Sequence, residues 1–417
     1  MTKQHTSTDL QRIREQFPAL GRLEGKEKAI FSDSPGGTQV PISVIDAMSD
    51  YQQAGSANLG GFFATSEETM ALVEQAREAA GQLLNAPADG IVFGSNMTSL
   101  TLALSRAIAN TWQTGDEIIV SSLDHDANIT PWVLAAKERG CAVRTMDFTA
   151  SQNLSVTELE RLLSGRTRLV AFTLASNVTG SITPAAELIK AAHSVNALVH
   201  VDAVHYTAHR LPDVQALDTD FLACSAYKFC GPYLGVLYGR PELLGSLKPY
   251  KVRASQDQPP WCWETGTQNF TAIAGLLACI KYHGWLTGSG HDRKGLQASA
   301  NWIEGHEQQL SQRFLDGLKG MAGFTLYGPD TTVGRTPTFA LAHHQHSSAR
   351  LAQRLAHHGI YTWSGHFYAL DLLDRLNLQE RDGLLRIGFV HYHTLAEIDR
   401  VLNVLGDISA GAVDDSF

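Results

Sequence analysis

Four short runs rich in valine, isoleucine and leucine recur through the middle of the chain: E-I-I-V-S-S (117–122), T-R-L-V-A-F-T-L-A-S (167–176), A-L-V-H-V-D-A (197–203) and D-F-L-A-C-S-A (220–226). None alternates polar with apolar residues as a half-exposed strand does, so each reads as a strand buried on both faces. Between them lie stretches with helical periodicity, N-I-T-P-W-V-L-A-A-K-E-R-G (128–140) and A-A-E-L-I-K-A-A-H-S-V (185–195). Pro131 and Pro184 sit near the two helix starts and Gly140 ends the first. Strand, helix, strand in repetition predicts an α/β architecture around a mainly parallel sheet, with ligands at the carboxyl ends of its strands. After Gly284 a helical stretch is followed by F-T-L-Y-G (324–328), P-T-F-A-L-A (337–342) and a helix over 347–358. These predict a smaller α+β unit, with a boundary near residue 285. There is no internal repeat and no low-complexity segment.

With 417 residues, 44% of them hydrophobic and 18% charged, the chain is long enough for one large domain and one smaller one. A net charge of -9, without any Lys/Arg run or zinc-like Cys/His spacing, argues against nucleic acid and for small-molecule chemistry. The polar start M-T-K-Q-H-T-S-T-D-L lacks an apolar signal core, and no apolar run approaches the ~20 residues of a membrane span, so no membrane association and a cytoplasmic location are expected. The five cysteines, 141, 224, 230, 262 and 279, are odd in number and scattered, which suits a reducing compartment.

Lys228 follows the apolar run Phe221–Cys224 and precedes the turn Gly231-Pro232. A cation leaving the core there either snorkels to the surface or is paired or used chemically. Gly94-Ser95-Asn96 leads from a strand into a long helix, so the amides of 95–99 can hold a phosphate or simply be capped. His125 lies in a loop after a strand, as a solvated side chain or as a ring against a planar ligand. Asp202 ends an apolar run, where a carboxylate requires a cationic partner, whether a salt bridge or a ligand. Phosphate-binding amides, a flat ring, a buried carboxylate and a lysine together are the parts that pyridoxal phosphate (PLP) requires.

Longer stretches carry a resemblance. S-L-D-H-D-A-N-I-T-P-W (122–132), T-L-A-S-N-V-T-G-S-I-T-P (173–184), H-V-D-A-V-H (200–205), S-A-Y-K-F-C-G-P-Y-L-G-V-L-Y-G (225–239), W-E-T-G-T-Q-N (263–269) and the closing segment around L-L-R-I-G-F (384–389) are similar, in order, to the motifs of class V aminotransferases. Within that group of fold-type I PLP enzymes they resemble the cysteine desulfurase branch, and F-S-D-S-P-G-G-T-Q-V-P (31–41) resembles a desulfurase-like subgroup. The resemblance implies a large PLP-binding domain at 31–285 with a mainly parallel seven-stranded sheet, a C-terminal small α+β domain at 286–417, and an N-terminal segment, 1–30, packed with the small domain. It makes Lys228 the Schiff-base lysine and proton shuttle, Asp202 the partner of the pyridine nitrogen and His125 the stacking ring. Asn177 is expected near the cofactor oxygen and the substrate carboxylate, Ser225 at the phosphate, and Arg386 on the carboxylate. Thr267 is expected to reach the phosphate of a partner subunit, implying a homodimer with shared sites.

Several positions depart from the family pattern. His205 stands for a glutamine, Tyr227 for a histidine, and Asn96 and Met97 for the threonines of the phosphate loop. In the loop G-I-Y-T-W-S-G-H-F-Y-A-L (359–370), Trp363 replaces an arginine and Tyr368 the sulfur-accepting cysteine, with His366 between them. Persulfide chemistry needs a thiolate beside the substrate sulfur, and Tyr368 supplies none; Cys262 is the one cysteine considered as a substitute. The expected activity is therefore a PLP-dependent β-carbon lyase acting on a small amino acid without persulfide chemistry. The alternatives are a class V aminotransferase, an epimerase, and a non-catalytic binding protein.

Overall fold

The computed structural model describes residues 7–378 and 382–411. Parts of the expected N-terminal segment (1–6) and small domain (379–381 and 412–417) lie outside the described residues. Seven strands form the large sheet: β1 (Ile91–Gly94), β2 (Glu117–Ser121), β3 (Ala142–Met146), β4 (Thr167–Thr173), β5 (Leu198–Asp202), β6 (Phe221–Ser225) and β7 (Gly235–Gly239). Their spatial order is β1-β7-β6-β5-β4-β2-β3, and β7 alone runs antiparallel to its neighbours. Successive side chains of one strand enter two different cores. Ile119, Val170, Phe172, Val199, Val201, Leu222 and Cys224 face one, and Ile118, Val120, Leu169, Ala171, Phe221 and Ala223 face the other. That double burial is why the strands do not alternate in polarity.

The helices that cover this sheet include α1 (Ile42–Ala54), α2 (Ala64–Leu84), α3 (Met97–Ala109), α4 (Thr130–Arg139), α5 (Ala185–His193) and α6 (Phe270–Trp285). The long α6, apolar along most of its length, packs on α1 and α2. Gly140 closes α4 in a left-handed conformation (φ 66°), as its place in the sequence predicts. A second sheet is antiparallel throughout, in the order β8-β9-β11-β10, from β8 (Phe324–Tyr327), β9 (Thr338–His343), β10 (Trp363–Gly365) and β11 (Leu384–Gly388). Its core of Phe314, Phe339, Leu341, Leu351, Leu385, Ile387 and Val401 is shared with α7 (Arg293–Leu318), α8 (Ser348–His357) and α9 (Leu395–Ser409). Each such buried side chain contributes about 1.5–3 kcal/mol. A capping box, Thr394 with Glu397, starts α9.

One segment ties the two sheets together. Ile30–Phe31 pairs in parallel with Ile360–Tyr361, Asp33 bridges Gly388 at the end of β11, and Thr38 donates its amide (3.1 Å) to the carbonyl of Tyr227. Residues 33–38 thereby pass directly over the turn that carries Lys228.

Candidate active site

The carboxyl ends of the parallel strands converge on a cavity of about 770 Å³. Thr173 at the end of β4 stands level with Asp202 at the end of β5, and Asp202 with Ala223 in β6. Ser225, last in β6, lies opposite Gly235. A Cβ on Gly235 would meet the backbone carbon of Asn96 at 2.5 Å, so this position needs glycine for β7 to run so close to the turn before α3. The turn is held from both sides. Asn96 caps α3 by accepting the Ser99 amide (2.9 Å), and the Met97 amide donates to Ser225 Oγ (2.9 Å). The N-terminus of α3, with the hydroxyls of Ser95, Ser99 and Ser225, thus lies at one end of the cavity, where the helix dipole suits a phosphate.

At the other end lies charge. Asp202 is buried, and its Oδ1 accepts the amide of Val204 (2.8 Å). It has no salt-bridge partner among the described residues, so the structural ion pair weighed from the sequence does not form. Burial raises its pKa to about 6. Lys228 belongs to a short 3-10 turn, Ala226–Lys228, and its Nζ donates to the carbonyls of Pro35 and Gly36 (3.2 Å to the latter). It does not snorkel: burial first, and Arg386 second, pull its pKa down to about 7. His125 accepts the Ala127 amide at Nδ1 (3.0 Å), and burial, then Lys228 and Arg386, lower its pKa to about 4, so the ring is neutral. The ring of Tyr368 stacks on it at 5.1 Å and 26°.

Ser95, Asn96, Met97, His125, Asn177, Asp202, His205, Ser225, Tyr227, Lys228 and Tyr368 all line this cavity. Four other expected residues do not. Thr267, exposed, lines a separate cavity of about 440 Å³ that adjoins the first through Ser95, Ser99 and Tyr233. Arg386, in β11, is buried behind the loop: it donates to Asn177 O (2.9 Å), its Nε has no partner, and the ring of Phe367 lies over its guanidinium at 4.2 Å. Trp363 pairs with Arg386 across β10 and β11, half-exposed, and its indole N–H side approaches Gly36 and Asp33. His366 stands behind Tyr368, its ring edge-on at 5.8 Å, and accepts the amide of Tyr368 (3.0 Å) at Nδ1. Cys262, buried against Trp263, lies outside the cavity, and burial raises its thiol pKa.

Sequence reasoning missed three acidic or aromatic neighbours. Asp124 is fully buried, accepting from Ser121, Asn128 (2.6 Å) and the Thr173 amide (3.1 Å), and burial raises its pKa to about 8. It fixes the strand ends that present Asp202. Asp33 faces both Arg386 and Lys228, with Oδ1 unpartnered and its pKa raised by burial. Tyr233 lines the cavity beside Tyr227, their rings 5.2 Å apart. A carboxylate flanking a buried strand was the available signal for Asp33 and Asp124; nothing in the sequence marked Tyr233.

The donor set fits PLP: amides and hydroxyls for a phosphate, an unpaired buried carboxylate for a ring nitrogen, a neutral flat imidazole and a desolvated lysine. Comparison with known proteins agrees. The family described as Aminotransferase class-V matches residues 30–401. A cysteine desulfurase of Dickeya dadantii (strain 3937) is 32% identical over 409 residues, which cover 94% of this chain and 95% of that one. The solved structure of the cysteine desulfurase CsdA from Escherichia coli, in an S-sulfonic acid form, has 30% identity and a TM-score of 0.83 over 97% of this chain and 99% of that one. A C-DES mutant with glycine covalently linked to its PLP cofactor shares the fold, with a TM-score of 0.77 and 21% identity over 94% of this chain and 99% of that one. This chain belongs to the class-V aminotransferase family and is a PLP-dependent, cysteine desulfurase-like enzyme.

Proposed function

We propose that the protein is a cytoplasmic homodimeric lyase that cleaves at the β-carbon of a small amino acid without forming a protein persulfide. PLP, when bound, supplies an aldehyde for the lysine and a ring that accepts electrons from the substrate carbon. Lys228 holds that aldehyde and moves the α-proton; its lowered pKa places a free amine within reach of neutrality. Asp202 would hold a proton on the ring nitrogen, His125 would support the ring, and His205 and Asn177 would bind its polar edge. The turn of Ser95, Asn96 and Met97, with Ser225 and Tyr227, would take the phosphate, joined by Thr267 of the other copy. Arg386 receives the substrate carboxylate, and Trp363, His366 and Tyr368 shape the space around the side chain. In this reading the large domain spans 31–285 and the small domain 286–417, with 1–30 packed on the latter.

The observation that carries the absence of persulfide chemistry is the position of the thiols. No cysteine lines the cavity with Lys228, and Cys224, Cys230 and Cys279 are buried with thiol pKa values raised by burial. Borohydride reduction and peptide mapping should place the cofactor on Lys228. L-Cysteine should then yield sulfide with pyruvate and ammonia, with no alkylation-trapped persulfide. Alanine with stoichiometric persulfide would refute the lyase reading, and amino transfer to an added keto acid would replace it with an aminotransferase.

A further inference from the structure

His205 stands where related enzymes are expected to carry an amide side chain, and its hydrogen bonds fix which of its nitrogens carries the proton. The residue is buried. Its Nε2 lies 3.0 Å from Thr336 Oγ1 and 3.1 Å from Thr338 Oγ1. The Thr336 hydroxyl donates its proton to the carbonyl of Gly180 (3.3 Å), so toward His205 it offers only lone pairs. A bare Nε2 could accept only from Thr338 (3.1 Å) and would oppose a lone pair of Thr336 at 3.0 Å, whereas an Nε2–H is accepted by both threonines with no opposed lone pair. The groups facing the ring are Lys228, Arg386 and, edge-on at 4.9 Å, His209, which is itself bonded at Nδ1 to the buried Glu307 (2.9 Å). Burial and these cations oppose a second proton on His205.

We propose that His205 is held as the neutral Nε2–H tautomer by Thr336 and Thr338, so that its Nδ1 presents a hydrogen-bond acceptor to the group bound in the cavity. An amide at this place offers an N–H donor as well; a histidine locked in this way reverses the polarity of the contact. The consequence, which rests on the PLP reading above, is that His205 favours a protonated phenolic oxygen on the bound ring, while an amide donor favours the ionised one. Thr336 and Thr338 are positioning residues: they act through His205 and touch no ligand.

The test reads the proton directly. In protein labelled with 15N-histidine, long-range 1H–15N correlation gives each ring its tautomer, and His205→Gln identifies the His205 signal by its loss. The expected spectrum has a protonated Nε2 and a bare Nδ1 at neutral pH. Thr336→Val and the double variant with Thr338→Val should release the tautomer into a mixture, with Thr336→Ser restoring it should the valine variants fold poorly. A bare Nε2, an imidazolium, or a tautomer indifferent to both threonines overturns the proposal. In the PLP-loaded protein, His205→Gln should raise the ratio of the ionised-phenol to the neutral-phenol absorption band by about fivefold or more, the equilibrium effect of one hydrogen bond. An unchanged ratio overturns the ligand-facing half of the proposal. Failure of the PLP reading is distinguishable, since the protein would then take up no chromophore while the tautomer remained readable.

Discussion

Asp202 and Lys228 are both desolvated, yet neither is paired with the other: the carboxylate accepts one backbone amide and the ammonium donates to carbonyls of 35 and 36. Such an arrangement leaves the chain alone carrying an electrostatic cost that a ligand with a positive nitrogen relieves. The sign is testable. Burial raises the Asp202 pKa to about 6, above its unfolded value near 4. At pH below the unfolded value both states are protonated and the cost is nil; it grows as pH rises through this window and is fully present above it. Asp202→Asn should therefore stabilise the cofactor-free protein by about 3 kcal/mol at neutral pH and hardly at all below pH ~3, read by urea unfolding. The same variant should retain PLP and lose turnover by about 10²-fold or more, because the ring nitrogen loses its charge partner. Asp202 and Lys228 were legible in the sequence because charges at the ends of apolar runs demand an explanation. Asp33 and Asp124 carried only the weaker signal of flanking a strand, because each is buried by chain segments far away in sequence: Asp33 by β11 and the lysine turn, Asp124 by Thr173.

The loop from β10 to Leu370 is the element whose residue types, but not whose side-chain placement, can be read from the sequence. Its aromatic character was evident, but which ring faces which charge depends on backbone geometry. Phe367 and Tyr368 both adopt left-handed conformations, φ 53° and 58°, a costly choice for bulky residues. Two hydrogen bonds hold it: Asn177 Nδ2 donates to Phe367 O (3.0 Å) and the Asp126 amide to Tyr368 O (2.7 Å). The result sets the Phe367 ring over Arg386 and the Tyr368 ring over His125. A substrate carboxylate reaching Arg386 must therefore displace an aromatic ring from a desolvated guanidinium, an interaction of about 1 kcal/mol or somewhat more. Phe367→Ala should lower the KM for amino-acid substrates about fivefold by removing that competitor. Steady-state kinetics with the preferred substrate checks this; a raised KM would mean that the ring orients the carboxylate rather than covers its site.

At the scale of the whole molecule, the central strands of the large sheet were the most legible part, because strands buried on both faces leave an unmistakable run of apolar residues, whereas the exposed edge strand β3 leaves none. The second sheet was less so: its strands are short, and β10 and β11 are brought together only by antiparallel pairing around 366–383. The crossing segment 33–38 left no periodic signal at all. What one copy of the chain leaves unsatisfied points outward. Thr267 is exposed in a cavity that abuts the turn before α3 from outside, and Phe62, Phe63, Tyr233, Tyr250 and Val252 stand exposed on the surface. Exposed aromatic and aliphatic side chains of this size fit a proposed contact with a second copy, in which Thr267 serves the partner's phosphate. Mixed dimers separate that arrangement from a self-sufficient protomer. Lys228→Ala and Thr267→Val homodimers should each be nearly inactive. In a hybrid of the two, the site with the intact lysine receives its threonine from the Lys228→Ala chain, and the other site lacks both. Random mixing in equal amounts makes half the dimers hybrid, each with one complete site, so activity should recover to about a quarter of wild type. If Thr267 served its own chain, no hybrid would hold a complete site and mixing would restore nothing.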